Sequence, residues 1–384
     1  MTKLDKLIQE LCPDGVIYRN VSDVAEVSIG EFVHKSKQNP DGKYPVYNGG
    51  TSNTGYYDDY NRTANKIIIS ARGANAGFVN RVFTNYWSGN SCYTVDITDK
   101  NLDWNFAFYW FKSNELSLLG EQQKGGIPAV SKKQVERFRI PVPPLPVQRE
   151  IVRILDTFTE LTAELTAELT ARKQQYAYYR DNLLTFRVDI TRKSLDELCT
   201  ISAAGDAPKD ALSLTKTAEY QIPVISNGIG ENAFYGYTDK PKITEPAVTV
   251  AARGTIGYAE YRDYPYYPII RLLSVIPKNT AVLATKYLYY CMQGKKYNVP
   301  LGGIPQLTAP ELKKVVIPVP PLPVQQRIVT VLDNFDAICS DLNIGLPAEI
   351  EARKKQYEFY RDQLLTFAAQ DEIVLTDRQT DRRV

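Results

Sequence analysis

Histidine is almost missing from this chain: His34 is the only one in 384 residues. No histidine-based metal site or Ser–His pair can therefore be built except around it, and no partner acid for it is identifiable. It reads as a surface loop residue. The five cysteines, Cys12, Cys92, Cys199, Cys291 and Cys339, are odd in number, far apart and include no Cys-x-x-Cys. That spacing argues against a zinc site and a disulfide framework, and for a reducing cytoplasm. No apolar run approaches the roughly 18 residues of a membrane span. Met1-Thr2-Lys3-Leu4-Asp5-Lys6 alternates charge and lacks the apolar core of a signal peptide. The net charge is only +2, whereas nucleic-acid binders often have a pI above about 9, so composition alone does not announce DNA.

Catalytic motifs are missing too. There is no Gly-x-x-x-x-Gly-Lys-Ser/Thr loop, no Gly-x-Gly-x-x-Gly between strand and helix, no His-Glu-x-x-His and no Gly-x-Ser-x-Gly. Asn39-Pro40-Asp41-Gly42 is a turn, not an adenine-methyltransferase box. The chain therefore reads as non-catalytic.

What the chain has is a phrase that it states twice. Ile140-Pro141-Val142-Pro143-Pro144-Leu145-Pro146-Val147-Gln148 recurs letter for letter as Ile317 to Gln325. Each copy opens a long helical pattern. These patterns close on Arg172-Lys173-Gln174-Gln175-Tyr176-Ala177-Tyr178-Tyr179-Arg180-Asp181 and on Arg353-Lys354-Lys355-Gln356-Tyr357-Glu358-Phe359-Tyr360-Arg361-Asp362. A repeat spanning half a chain signals duplicated domains. Between the phrases lie short strands and glycine turns with shared landmarks. Lys43 to Gly50 is echoed by Gln221 to Gly228. Ile67-Ile68-Ile69-Ser70-Ala71-Arg72-Gly73 is echoed by Val248 to Gly254, and Gly125 to Pro128 by Gly302 to Pro305. Asn20 to Val27 carries helix-start residues, echoed at Ser194 to Cys199, and Asn105 to Leu119 predicts a helix. The 26 tyrosines suit half-wet surfaces or tyrosine-rich strands.

A seam steps by fours and threes along Ile151, Leu155, Phe158, Thr162, Leu165, Leu169, Arg172, Tyr176, Tyr179, Leu183 and Phe186, apolar except at Thr162 and Arg172, and again from Ile328 to Phe367. This is a coiled-coil seam. Thr162-Ala163-Glu164-Leu165 is at once repeated as Thr166-Ala167-Glu168-Leu169. The copies are offset by 177 positions at Ile140 and Ile317 but by 181 at Arg172 and Arg353, so the second helix carries four extra residues. Gly345 and Pro347 should kink or interrupt it there. The expected fold is α+β, with two similar mixed α/β domains separated by two long antiparallel coiled-coil helices about a pseudo-twofold axis. A two-headed ruler suits a rod with two reading sites, such as duplex DNA. A coiled-coil adaptor that binds only proteins remains the other reading of the pattern.

Taken together, these motifs resemble the specificity subunit of type I restriction–modification enzymes. The resemblance covers nearly the whole chain. It implies a first target-recognition domain at 1–147, a spacer helix at 148–186, a second recognition domain at 187–324, a second spacer helix at 325–367, and a polar tail at 368–384. Each domain would read half of an asymmetric bipartite DNA site. The helices would fix the spacing and dock two methyltransferase subunits, with restriction/translocase subunits completing the assembly. The resemblance implies no cofactor on this chain; S-adenosylmethionine, ATP and Mg2+ would sit on the partners. Polar residues on glycine-rich loops are the ones free to reach base edges. The candidates are Asn48, Ser52, Asn53, Arg72 and Asn75, then Ser226, Asn227, Asn232, Arg253 and Thr255. Arg72 and Arg253 could instead tie down their turns. Lys124, with Lys35, Lys37, Lys209 and Lys216, is a candidate phosphate contact. Tyr176, Tyr179, Arg180, Tyr357, Tyr360 and Arg361 are the candidates for subunit docking.

Overall fold

The computed structural model describes residues 2–119, 128–186, 190–297, 305–340 and 345–369. The chain opens on α1 (Lys3–Leu11), whose Thr2 and Asp5 form a capping box. The first head then runs β1 (Tyr18–Asn20), α2 (Val21–Val24), β2 (Ala25–Ile29), β3 (Tyr44–Tyr47), β4 (Gly55–Tyr57), β5 (Lys66–Ser70), β6 (Val79–Val82), β7 (Trp87–Ser88), β8 (Cys92–Ile97), α3 (Trp104–Ser113), α4 (Glu115–Leu119), α5 (Lys132–Arg137) and β9 (Arg139–Pro141). The long α6 (Leu145–Leu183) leads to the second head. That head repeats the order as β10 (Arg192–Ser194), α7 (Leu195–Leu198), β11 (Cys199–Ala203), β12 (Ile222–Ile225), β13 (Phe234–Thr238), β14 (Ala247–Ala251), β15 (Ala259–Arg262), β16 (Tyr267–Pro268), β17 (Leu272–Pro277), α8 (Thr285–Met292), α9 (Ala309–Lys313) and β18 (Val316–Pro318). α10 (Leu322–Ser340) and α11 (Leu346–Leu364) follow.

The sheets are duplicated pairing for pairing. β2-β8-β5-β6 matches β11-β17-β14-β15, β4-β3-β7 matches β13-β12-β16, and β1-β9 matches β10-β18. Each three-stranded sheet contains one parallel pair, β3 with β7 and β12 with β16. β5 and β14 are buried almost throughout, as β-branched runs in the interior of a sheet should be.

Several expected elements differ in detail. The helix expected over Asn105 to Leu119 is two, α3 and α4, because Asn114 ends the first and donates from Nδ2 to the Trp110 carbonyl. Of Asn20 to Val27, only Val21–Val24 is helical, and a strand follows at once. α6 starts at Leu145, three residues earlier than expected, with Pro146 in a first turn that needs no N–H from it. The second long helix, by contrast, is interrupted where Gly345 and Pro347 predicted: Gly345 is a bend before α11, and Pro347 sits in the first turn of α11. Residues 341–344, most of the polar tail and most of the two Gly-Gly-Ile-Pro loops lie outside the described residues.

The chain forms two compact units. One comprises 1–164 and 350–384, and the other 165–349. In the first, Phe158 of α6 stacks on Tyr360 of α11 at 5.5 Å. In the second, Tyr179 of α6 stacks on Phe335 of α10 at 5.4 Å. The boundary between the units, Glu164 to Leu165, falls inside the Thr-Ala-Glu-Leu repeat.

Head and helix are locked together in the same way in both units. Gln148 is fully buried; its Nε2 donates to Asn101 O (2.8 Å) and Pro143 O (2.5 Å), and its Oε1 accepts from Asp103 N (2.8 Å). Gln325 repeats this with Val282 O (2.8 Å), Pro320 O (2.8 Å) and Ala284 N (2.9 Å). Two turns on, Tyr109 of α3 donates to Asp156 at 2.5 Å, and Tyr290 of α8 donates to Asp333. Burial first, and then the neighbouring carboxylate, push both tyrosine hydroxyls well above their ordinary range, which keeps them protonated donors. Ile151 and Leu155 lie fully buried between these polar anchors. The start of the seam therefore packs into the head core. Within the heads, Tyr86 bonds Thr94, and Tyr266 bonds Ser274, each at 2.9 Å.

Candidate nucleic-acid interface

In each head the loops that carry the sequence candidates are brought to one place. In the first head, Ala71 N–H donates to Ser91 O (2.8 Å), the Ser70 hydroxyl to Gly50 O (3.1 Å), and Gly73 N–H to Pro128 O (2.8 Å). These bonds tie the loop after β3, the Ala-Arg-Gly turn after β5 and the turn before β8 into one surface. In the second head, Ala252 N–H donates to Arg271 O (2.9 Å), and Asn227 Nδ2 to Arg253 O (2.6 Å). Gly73 and Gly254 sit at φ +90° and +72°. Only glycine enters that region freely, which is why the Arg-Gly phrase is kept in both copies.

The candidates divide by whether their polar atoms are already in use. Asn48 accepts from Ser91 N at 3.1 Å and so holds its own turn. Ser226 donates to Ala233 O at 3.0 Å, Asn227 ties down Arg253, and Thr255 donates to Asn227 O at 3.0 Å. Asn53 makes a long contact to Gly55 O at 3.5 Å. Ser52, Arg72, Asn75 and Asn232 are exposed, and Arg253 is half-buried. Neither arginine makes an ion pair among the described residues. Their side chains do not tie down the turns; backbone bonds do, together with the side chains of Asn227 and Thr255 in the second head. Lys124 lies outside the described residues.

The docking candidates also divide. Tyr176 packs into the second core with its hydroxyl on Gln293 at 2.5 Å, and Tyr357 packs into the first. Arg180 and Arg361 pair with Asp181 (2.8 Å) and Asp362 (2.7 Å). Tyr179 and Tyr360 cover their partner helices with one ring face each. The sequence reading missed Tyr178 and Phe359, equivalent positions at 67% and 58% exposure. Each meets its neighbour edge-on at an interplanar angle of 74°, Tyr178 with Tyr179 and Phe359 with Tyr360. The available signal was an aromatic lying off the seam in both copies.

Among the described residues nothing assembles a catalytic centre. Burial pushes the thiols of Cys92, Cys199 and Cys291 up to about 12, so they are not nucleophiles at neutral pH. The exposed His34 caps a short 3₁₀ turn, accepting from Ser36 N at 3.2 Å. Among the described residues no group of three histidine, cysteine or acidic side chains could hold a metal, and no helix is long and apolar enough to cross a membrane.

Comparison with known proteins agrees with the duplication. The sequence model of the type I restriction modification DNA specificity domain matches twice, over residues 13–172 and 187–352. A Mycoplasma pneumoniae protein named as a type I specificity subunit is 30% identical over 363 residues, covering 90% of this chain and 96% of its own. The EcoR124I/EcoR124II type I restriction enzyme specificity subunit of Escherichia coli is 30% identical over 293 residues, covering 68% of this chain and 70% of its own. The crystal structure of the type I restriction-modification S subunit from M. genitalium shares the fold, with a TM-score of 0.57 at 18% identity over 91% of this chain and 94% of that one.

Proposed function

The chain belongs to the type I restriction modification DNA specificity family, and from that premise we propose that it is the non-catalytic subunit that reads DNA sequence for a methyltransferase and restriction assembly. One observation carries the reading. The two heads share every sheet and every helix lock, yet present different side chains on the same loop surface. Around an arginine common to both, Arg72 and Arg253, the first head offers Ser52 and Asn75, and the second offers Asn232. An unlike pair on a like scaffold suits two different half-sites in one duplex, whereas a plain adaptor has no need of unlike loops on matched scaffolds. Arg72 and Arg253 are the charged readers of base edge or phosphate. Asn48, Ser226, Asn227 and Thr255 act by holding the loops in shape.

The exposed aromatic pairs Tyr178–Tyr179 and Phe359–Tyr360 are the docking anchors for two copies of the methyltransferase subunit, one per unit. Exposed rings in matched pairs are the side chains that dominate interfaces. Restriction/translocase subunits complete the complex, S-adenosylmethionine, ATP and Mg2+ belong to those partners, and the whole works in the cytoplasm. The near-neutral charge fits if the partners supply much of the phosphate contact, since affinity follows the phosphates neutralised by the whole assembly. The test is binding of duplex DNA by the chain co-purified with its methyltransferase subunit. The expected result is a complex whose affinity falls steeply with salt and depends on sequence. A stable complex with no affinity for duplex DNA at low salt would return the adaptor reading.

A further inference from the structure

The turn between β16 and β17 holds two side chains in a backbone region that they avoid. Ile270 has φ +28° and Arg271 has φ +60°. Positive φ brings Cβ against the backbone, and a β-branched residue suffers most. Such a conformation persists only where its surroundings over-determine it. Here they do: Ile269 N–H donates to Ile225 O (2.8 Å), Ile270 N–H to Gly205 O (2.9 Å), and Ala252 N–H to Arg271 O (2.9 Å). The last of these bonds places Arg271 beside the Ala252-Arg253-Gly254 turn, within the loop surface described above. Both side chains are exposed, and Arg271 makes no ion pair among the described residues.

The first head builds the same turn without strain. Its residues are Gly89, Asn90 and Ser91, none of them at positive φ. Asn48 accepts from Ser91 N, and Gly89 leaves room for it: a Cβ at Gly89 would lie 2.4 Å from the Asn48 Oδ1. The second head replaces Asn48 with Ser226 and Gly89 with the fully buried Ile269. The side-chain tie is gone, and the two residues beyond Ile269 take up the strained conformation.

We propose that Arg271 is a base-reading residue of the second head, its guanidinium reaching the edge of a guanine in the half-site which that head recognises. This rests on the DNA-specificity reading above and adds a residue to it. Arginine paired with guanine O6 and N7 is the commonest direct readout, and it requires direction as well as charge. A phosphate contact can be made from a flexible arm; fixing a strained backbone is useful where the approach angle matters.

The experiment is methylation mapping with the assembled complex, comparing wild type with Arg271→Gln and Arg271→Lys. Lysine keeps the charge but loses the two-pronged geometry, so it serves if the glutamine variant fails to assemble. The expected result is that one base-pair position in one half-site relaxes by about 10- to 100-fold, with the other half-site unchanged. Unchanged specificity at every position overturns the proposal, and so does an equal loss on all sequences, the mark of a phosphate contact. Failure of the wild-type complex to methylate a bipartite site sinks the parent reading instead, and is visible without any variant.

Discussion

Gln148 accepts a hydrogen bond from the backbone N–H of Asp103, 2.8 Å away and 45 positions earlier in the chain, and has no exposed surface of its own. Its amide satisfies two further carbonyls, one in the loop before α3 and one in the proline segment. Gln325 does the same in the other unit. The final letter of the repeated phrase is therefore the rivet that fixes the direction of each long helix relative to its head.

Gln148→Ala and Gln325→Ala should each destabilise the chain by about 2–4 kcal/mol, because three backbone groups lose their partner in a site that water does not reach. Thermal unfolding measures this. Gln148→Leu should fare no better, since filling the space leaves the polar groups unpaired. A loss below about 0.5 kcal/mol in either alanine variant would mean that the rivet is not structural.

Tyr178→Ala and Phe359→Ala should leave folding untouched and weaken capture of the methyltransferase subunit. Aromatic anchors of this kind are worth about 2 kcal/mol or more, roughly a 30-fold loss for each copy. Titration of the purified chain with the partner subunit, followed by calorimetry, separates one lost copy from two. Full affinity in the double variant would move the docking surface elsewhere.

Hydrogen bonds from Arg153 and then from Lys3 hold the Glu150 carboxyl down at about 2, against an ordinary 4.5. A depressed carboxylate stabilises the fold above its unfolded pKa and stops doing so as pH falls through the folded one. Wild type should therefore exceed Glu150→Gln in melting temperature at neutral pH. The gap should close between about pH 4.5 and pH 2. A gap that does not change with pH would point to packing instead of charge.

Residues 166–169 lie in α6 at the boundary between the units, with Thr166, Ala167 and Glu168 exposed. Four helical residues add about 6 Å and a net turn of about 40°, close to one base-pair step of about 3.4 Å and 35° in angle though longer in rise. Deleting Thr166-Ala167-Glu168-Leu169 should shorten the recognised spacer by about one base pair while both half-sites stay the same. Methylation mapping of the deletion variant reads this directly, and an unchanged spacer with full activity would refute the ruler.

The duplication was legible because two proline-rich segments are identical, and the buried strands because β-branched runs such as Ile67-Ile68-Ile69 cannot sit elsewhere. The role of Gln148 was not legible. It depends on a loop 45 residues away, and a glutamine opening a helix looks like a surface residue. The same limit applies to Asn48 and Asn227, which look like free polar loop residues until their turns are seen to close on them. Two-residue strands such as Trp87–Ser88 are set by their parallel neighbour and have no pattern of their own. Ile270 and Arg271 gave no signal at all, because sequence flags positive φ through glycine or asparagine and neither is there.

The most direct measurement is methylome sequencing of cells that express this chain together with its methyltransferase subunit and no other specificity chain. The account predicts methylated adenines in one asymmetric motif, two unlike half-sites around a spacer of fixed length, which disappears when this chain is removed. Methylation that persists without the chain, or a motif with two identical half-sites, would contradict it.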